Sequence, residues 1–199
     1  MLFLLNGVKK LKESCGRMAI IQNGSSLFTG DAGSGASEIR KYLITGDLVE
    51  AIIQLPNDLF YNTGIATYIW VISKNKAVHR LGKIQLIDAS KCFVKRRKNI
   101  GNKRVDLSDE CIAMIINAYN AFEDGEYVSG GLKVESKVRE NNFFGYTKVT
   151  VETPITDENC KPVLKRGKPQ PDKSKSDTES IPLLEDIDEY FKRNVLPYN

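Results

Sequence analysis

The chain has 199 residues, of which 41% are apolar and 27% are charged, with a formal net charge of +4 at pH 7. This composition is that of a globular protein with a buried core, and it excludes a chain that is disordered or embedded in a membrane throughout. The small net charge does not by itself indicate nucleic-acid binding.

Helices alternate with apolar strands in the first half of the chain. Residues 2–13 have apolar side chains at helical spacing, which predicts a helix. No N-cap residue precedes this helix, so we expect the chain to begin within an element. The apolar part is too short for a signal or membrane segment. Gly- and Ser-rich residues 23–37 predict a loop, and Ser37 is a candidate N-cap for a helix that ends at Gly46. Short apolar runs bounded by turn-forming residues predict strands at 17–22, 48–55, 66–73 and 83–88.

This order of elements predicts the fold class. Short apolar strands interleaved with helices favour an α/β sheet that is mostly parallel and covered by helices on both faces. The loop between strands 48–55 and 66–73 is too short for a crossover helix. These two strands are therefore expected to be antiparallel neighbours at the end of the sheet.

The chain becomes more polar towards its end. Residues 91–104 predict an exposed basic loop, and Ser108 is a candidate N-cap for an amphipathic helix that ends near Gly125. The remaining predicted elements are a strand at 148–152, a Pro-, Lys- and Ser-rich linker at 154–182, and a helix at 183–193 with acidic residues at its start and basic residues near its end.

Several local patterns have a structural interpretation beside a functional one. The Gly-rich residues 30–35 precede a helix and can place N–H groups at an anion, but they lack the lysine of a phosphate-binding loop, which favours an ordinary flexible loop. His79 has no second His or Cys at ligand spacing, and the four cysteines form no CxxC pair, so no metal site or disulfide framework is predicted. No catalytic role is predicted for three serines that lack a histidine partner, Ser25, Ser26 and Ser37. None is predicted for three acidic residues on a predicted surface helix, Asp186, Asp188 and Glu189.

A series of segments between residues 8 and 154 carries a family resemblance. The segments are SEIRKYL at 37–43, LVEAIIQLP at 48–56, NDLF at 57–60, TGI at 63–65, ATYIWVI at 66–72, GKIQLIDAS at 82–90 and FGYTKVTVETP at 144–154. In this order and at this spacing they resemble the C-terminal part of the modification subunit of type I restriction-modification systems, an N-6 adenine DNA methyltransferase family.

The resemblance implies transfer of a methyl group from S-adenosylmethionine to the exocyclic amino group of adenine in DNA. The implied fold is the distal part of a class I methyltransferase-like, Rossmann-like sheet ending in an antiparallel strand pair, plus a C-terminal helical tail. The family holds the amino group with Asn or Asp followed by two prolines and an aromatic residue, and the cofactor with a Gly-rich turn. Neither motif is present, and both are expected upstream of Met1. We therefore predict no catalytic or cofactor-binding residue in this chain and no activity of the chain alone.

Two segments are candidates for DNA contact. By resemblance, the loop at residues 56–65 lies near the methyl-transfer cleft, where Phe60 and Tyr61 can stack on an extruded adenine. The alternative is that Phe60 is a core residue that anchors the loop. A basic run can contact DNA phosphates, although such a run is also typical of a solvated loop. It consists of Lys95, Arg96, Arg97 and Lys98.

The expected organisation follows from the same resemblance. The boundaries are 1–125 for the distal half of the catalytic domain, 126–160 for a C-terminal extension, 161–182 for a basic linker and 183–199 for a C-terminal helix. The implied partners are DNA and the specificity and restriction subunits of a type I system. The resemblance implies a cytoplasmic protein that does not associate with a membrane. The alternative function is a non-catalytic assembly or DNA-binding module that docks a specificity subunit.

Overall fold

The computed structural model describes residues 1–157 and 161–198. It divides into two compact units, residues 1–141 and the residues from 142 onward. Cys160 and the end of the predicted 126–160 extension lie outside the described residues.

The first unit is a mixed α/β structure built on one six-stranded sheet. In chain order its elements are α1 (Leu2–Lys10), β1 (Arg17–Asn23), α2 (Ser25–Phe28), α3 (Gly35–Thr45), β2 (Val49–Gln54), β3 (Thr67–Ser73), a 3-10 turn (Val78–Arg80), β4 (Lys83–Lys91), β5 (Val94–Ile100), β6 (Lys103–Asp106), α4 (Asp109–Ala121), β7 (Gly125–Ser129) and β8 (Leu132–Glu140). The strand order in the sheet is β1-β3-β2-β4-β8-β7. β5 and β6 form a separate antiparallel hairpin.

The sheet is mostly antiparallel, so the prediction of a mostly parallel sheet is wrong. β1 and β2 run in the same direction, because the helical segment between them returns the chain to the same end of the sheet. However, β3 lies between them and is antiparallel to both. β4 pairs with β2 in parallel, and β8 and β7 extend the sheet in antiparallel pairs. The predicted antiparallel pairing of strands 48–55 and 66–73 is confirmed by the pairing of β2 with β3. Their predicted position at the end of the sheet is wrong, because β1 pairs with the other side of β3 and β4 with the other side of β2.

Helices cover both faces of this sheet. The buried side of α4 packs in one cluster with Ile53 of β2 and Val134 of β8. Val71 of β3 packs against the same cluster, whereas the next side chain back, Trp70, points to the opposite face because successive strand residues alternate. Trp70 is 1% exposed, and its indole N–H donates a 3.1 Å hydrogen bond to Ser26 in α2.

Several local predictions for the first unit need correction. The predicted loop at 23–37 contains α2, and the N-cap of α3 is Ser34 rather than Ser37, since the Ser34 hydroxyl accepts from the Ser37 N–H at 3.4 Å. The predicted loop at 91–104 contains β5 and the first half of β6. Residues 125–140, expected mainly in an extension beyond the sheet, form two of its strands.

The second unit consists of short antiparallel pairs and a helix. β9 (Tyr146–Val151) pairs with β12 (Asp177–Pro182), and β10 (Leu164–Lys165) pairs with β11 (Lys168–Pro169). The predicted linker is therefore partly ordered in strands. The last helix is α5 (Ile187–Asn194), which begins later than predicted because the Asp186 carboxylate caps it, accepting the N–H groups of residues 188 and 189.

Candidate nucleic-acid interface

The loop between β2 and β3, residues 56–65, is closed by its own backbone. The N–H of Asp58 donates to the carbonyl oxygen of Gly64 at 3.3 Å, and Phe60 forms an isolated antiparallel bridge with Thr63. Asp58 adopts a left-handed conformation with φ of 57°, which Asp tolerates better than most residues. The loop therefore has a defined shape that fixes where its two aromatic residues lie.

The two aromatic residues of this loop have different environments. Phe60 is half-buried and packs against the buried cluster of Leu55, Leu59 and Val105. Tyr61 is 67% exposed. Phe60 thus occupies the position of the anchor described by the structural alternative, and Tyr61 offers the more accessible ring for stacking on a base.

The basic run lies on β5, along the exposed hairpin. Lys95, Arg97 and Lys98 are exposed, whereas Arg96 is half-buried and forms an ion pair with Asp106 of β6. Lys103 also pairs with Asp106, at 2.7 Å. The hydrogen bond from Lys103 and the charge of Arg96 hold the pKa of Asp106 below its ordinary value. Three of the four predicted cations therefore lie on the surface, and Arg96 is engaged within the hairpin.

The hairpin and the aromatic loop are joined by backbone hydrogen bonds. The N–H of Asn102, in the hairpin turn, donates to the carbonyl oxygen of Tyr61 at 2.9 Å. The N–H groups of Arg104 and Val105 both donate to the carbonyl oxygen of Asp58, at 2.9 and 3.4 Å. The structure thus brings the two candidate segments, which are well separated in sequence, into one surface.

Sequence reasoning missed the residues that make this connection. The run KNIGNK places Gly101 and Asn102 between two basic stretches, and a Gly-Asn pair is a signal for a two-residue hairpin turn. This turn signal is present in the sequence. The flanking strands were not predicted because β5 is largely exposed and lacks alternating apolar residues.

The backbone that leads into the Gly-rich segment before α3 is contacted by Arg40. The Arg40 guanidinium donates to the carbonyl oxygens of Ser26, Thr29 and Gly30, at 3.4, 2.7 and 3.3 Å. The Ser26 hydroxyl also donates to the carbonyl of Asn23. These contacts give Gly30 and Ser26 structural roles within the chain.

A buried ionic network lies in the same unit and was not visible in the sequence. Glu50, 5% exposed, accepts hydrogen bonds from Arg17 at 3.1 Å and from the Tyr119 hydroxyl, and it lies 3.6 Å from Nε of Arg80. Arg80 also donates to Gln85 at 3.1 Å and stacks on the Tyr119 ring at 4.3 Å. Burial, together with the hydrogen bond to Glu50, raises the pKa of Tyr119. The network fixes the end of α4 on the sheet.

His79, for which no metal site is predicted, lies at the surface. His79 is exposed and packs edge-on against Phe122, with ring centroids 5.4 Å apart. Among the described residues, no group of three or more His, Cys, Asp or Glu side chains is arranged to hold a metal ion. No helix in this described part of the chain is long and apolar enough to cross a membrane.

Comparison with known proteins places this chain in a family. The family model for N-6 DNA methylase matches residues 1–159. The methylase subunit of the type I restriction enzyme MjaVIII from Methanocaldococcus jannaschii is 36% identical over 129 residues, which is 64% of this chain and 21% of the relative. The methylase subunit of the type I enzyme MpnII from Mycoplasma pneumoniae is 37% identical over 105 residues, 53% of this chain and 18% of the relative.

A solved structure gives the same result. The methyltransferase subunit of a type I restriction-modification system from Streptococcus thermophilus matches with a TM-score of 0.58 and 31% identity, over 70% of this chain and 26% of that one. The chain spans about a fifth of the length of the curated relatives it matches. Since the family model covers more than half of the chain, the chain belongs to the N-6 DNA methylase family.

Proposed function

We propose that this chain is part of a type I modification subunit that methylates adenine N6 in DNA, and that its loop–hairpin surface contacts the DNA. The single observation that carries this proposal is the junction of the loop at 56–65 with the β5–β6 hairpin. It joins the loop that carries an exposed aromatic ring to the hairpin that carries an exposed basic strand. In this arrangement Tyr61 stacks on the target base, with Phe60 as its anchor or second contact, and Lys95, Arg97 and Lys98 contact phosphates.

The physical demands of the reaction agree with this assignment. Chemistry on the exocyclic amino group of adenine requires the base to leave the duplex, and an aromatic face stabilises an extruded base by about 1 to 3 kcal/mol. Phosphate contacts fix the register of the duplex without reading its sequence. A ring and cations on one connected surface supply both functions together.

The residues of this chain do not fit the binding of S-adenosylmethionine. The sequence contains no Asn-Pro-Pro or Asp-Pro-Pro motif and no Gly-rich turn that follows a first strand of the family's kind. We expect the cofactor to bind elsewhere in the complete protein and the isolated chain to be inactive.

The proposal extends to the organisation of the parent protein. We infer that the six-stranded sheet is the distal part of a Rossmann-like methyltransferase sheet. The complete protein would act in the cytoplasm with DNA and with the specificity and restriction subunits.

A methylation assay tests the proposed activity. It compares this chain, the chain extended upstream and supplied with a specificity subunit, and the extended form carrying Tyr61→Ala, using a labelled methyl donor and adenine-containing DNA. We expect methylation by the extended assembly alone, reduced by Tyr61→Ala. Methylation by the isolated chain would contradict the expected inactivity, and an inactive extended assembly that still binds DNA would favour the alternative function.

That alternative is a non-catalytic assembly or DNA-binding module that docks a specificity subunit. One feature of the second unit favours it: apolar side chains at and before α5 are exposed. Leu183 is 54% exposed, Leu184 66% and Ile187 45%. Exposed apolar side chains grouped at a helix are typical of a protein-binding surface.

A further inference from the structure

We propose that the turn of the β5–β6 hairpin positions Tyr61 for base contact, with Gly101 and Asn102 as positioning residues. This inference rests on the proposed function of the loop–hairpin surface, but it concerns how the ring is held rather than whether DNA binds. It assigns the hairpin a second role beside phosphate contact.

The hairpin holds the loop at two backbone positions. Asn102 donates to the carbonyl oxygen of Tyr61 itself, at 2.9 Å, and β6 donates two N–H groups to the carbonyl oxygen of Asp58. Between these positions Leu59 is buried against Val105 of β6. The backbone that carries the exposed Tyr61 ring is therefore fixed from outside the loop.

Close approach at this contact requires glycine at residue 101. Gly101 has φ of 57°, in the left-handed region, and a Cβ there would lie 2.5 Å from the carbonyl oxygen of Tyr61. Real Cβ contacts are essentially never shorter than 3.0 Å. Because that neighbour is backbone, any larger residue would push the turn and the Tyr61 backbone apart.

The positioning has a consequence for binding. An exposed ring on a loop that moves freely must lose conformational freedom when it stacks on a base, which weakens binding. A ring whose backbone is already fixed loses less. Since the same hairpin carries Lys95, Arg97 and Lys98 on β5, phosphate contact and ring placement act through one rigid element.

A matched pair of glycine substitutions separates this role from general stability. Gly130 opens the two-residue turn between β7 and β8 and has φ of 54°, but a Cβ there would meet no atom within 4 Å. Gly101→Ala and Gly130→Ala therefore carry similar backbone strain, and only the first disturbs Tyr61. Amide hydrogen exchange on the full 199-residue chain should show faster exchange at residues 58–64 in Gly101→Ala and not in Gly130→Ala.

DNA binding then tests whether the position of the Tyr61 ring serves base contact. The probes are a short duplex with one unpaired adenine and the same duplex fully paired. We expect Gly101→Ala to weaken binding of the unpaired-adenine duplex about fivefold or more while leaving the paired duplex unchanged. Gly130→Ala should alter neither.

A mutant cycle with Tyr61→Ala decides whether Gly101 acts through Tyr61. If it does, adding Gly101→Ala to Tyr61→Ala causes no further loss. An equal loss with and without the Tyr61 ring, or unchanged exchange at residues 58–64, would overturn the positioning role. If exchange changes as expected but Tyr61→Ala alone has no effect on binding, the hairpin holds the loop and it is the proposed base contact that fails.

Discussion

The backbone N–H of Asn102 lies 2.9 Å from the carbonyl oxygen of Tyr61 and donates a hydrogen bond to it. This bond joins a turn in a basic hairpin to a loop that presents an exposed aromatic ring. Neither segment alone is a specific indicator of nucleic-acid binding, because exposed tyrosines and basic runs are common on protein surfaces. Joined by backbone bonds, they form one surface on which a base and the neighbouring phosphates can be contacted together.

Neutralising the exposed cations of β5 should reduce the salt dependence of DNA binding. Each lost phosphate contact lowers the slope of log K against log salt by about 0.9 for duplex DNA, so a triple variant should lose about 2 to 3. The measurement is duplex affinity by fluorescence anisotropy at several salt concentrations. The substitutions are Lys95→Gln, Arg97→Gln and Lys98→Gln.

The control removes the same charge from another part of the first unit. Lys9, Lys10 and Lys12 are exposed at and beyond the end of α1, and their triple Gln variant should keep the slope of the unmodified chain. Arg96→Gln should also change the slope little, because Arg96 is paired with Asp106. Equal losses in both triple variants would mean that the whole charge of the chain, not the hairpin, attracts DNA.

Substitutions of Phe60 and Tyr61 should differ in their effect on the free energy of unfolding. Phe60→Ala removes a half-buried ring from the cluster of Leu55, Leu59 and Val105 and should lower the free energy of unfolding by about 1 to 3 kcal/mol. Tyr61→Ala alters an exposed side chain and should change it by less than about 0.5 kcal/mol. Urea denaturation measures both. Phe60→Leu and Tyr61→Phe serve as conservative controls, and a large stability loss in Tyr61→Ala would argue that its ring packs in the fold.

Removing one partner from the buried network around Glu50 should lower the free energy of unfolding strongly. Arg80→Met would leave the Glu50 carboxylate, 5% exposed, without one of its cations, and breaking a buried pair costs about 3 to 5 kcal/mol. Lys133→Met is the control, because its pair with Glu126 is partly exposed, with side chains 34% and 52% exposed, and should contribute less than about 1 kcal/mol. Denaturant unfolding of both variants gives the comparison.

A double variant tests whether the loss comes from that pair. Arg80→Met with Glu50→Gln should be less destabilised than the sum of the single variants, since the second substitution removes the uncompensated charge. Strictly additive losses would show that Arg80 acts through its ring stacking and its bond to Gln85 rather than through Glu50.

Much of the sheet could be predicted because its strands are short apolar runs bounded by turns. The short loop between β2 and β3 fixed their antiparallel pairing. The position of β3 between β1 and β2 could not be read from the sequence, because a helical connection sets strand direction without fixing which strands are adjacent. The strand β8 was missed although Leu132, Val134 and Ser136 are buried at every second position, after a Gly-Gly turn that signals a hairpin.

The candidate site was predictable in its parts and not in its assembly. Aromatic and basic residues could be selected by type, since stacking and phosphate contact require those side chains. Their junction depends on backbone N–H and C=O groups, at Asn102 and Tyr61 among others, which every sequence contains. Burial of Arg80 and Glu50 likewise depends on tertiary packing, because isolated charged residues in a sequence predict exposure.

Asp47 should give the first unit a component of stability that is lost in acid. Its carboxylate accepts hydrogen bonds from Lys76 Nζ at 2.6 Å, Asn141 Nδ2 at 2.9 Å and the Gly82 N–H at 3.0 Å. Partial burial alone would raise the pKa of Asp47, but these hydrogen bonds and the charge of Lys76 lower it below its ordinary value. The folded state therefore binds this proton less tightly than the unfolded state does.

The sign of the pH dependence follows from that difference. Stabilisation by Asp47 is fully present above the ordinary Asp pKa of about 3.9 and is lost as pH falls below it through the lower folded value. Asp47→Asn should cost about 2 kcal/mol at pH 7, because the side chain of Lys76 is 1% exposed and would lose its counter-ion. The difference in unfolding free energy from the unmodified chain should shrink as the pH drops below about 4. If Asp47→Asn shifts stability equally at pH 7 and pH 3, the ionised carboxylate is not the stabilising form, whereas a smaller loss in a Lys76→Met background would identify Lys76 as its partner.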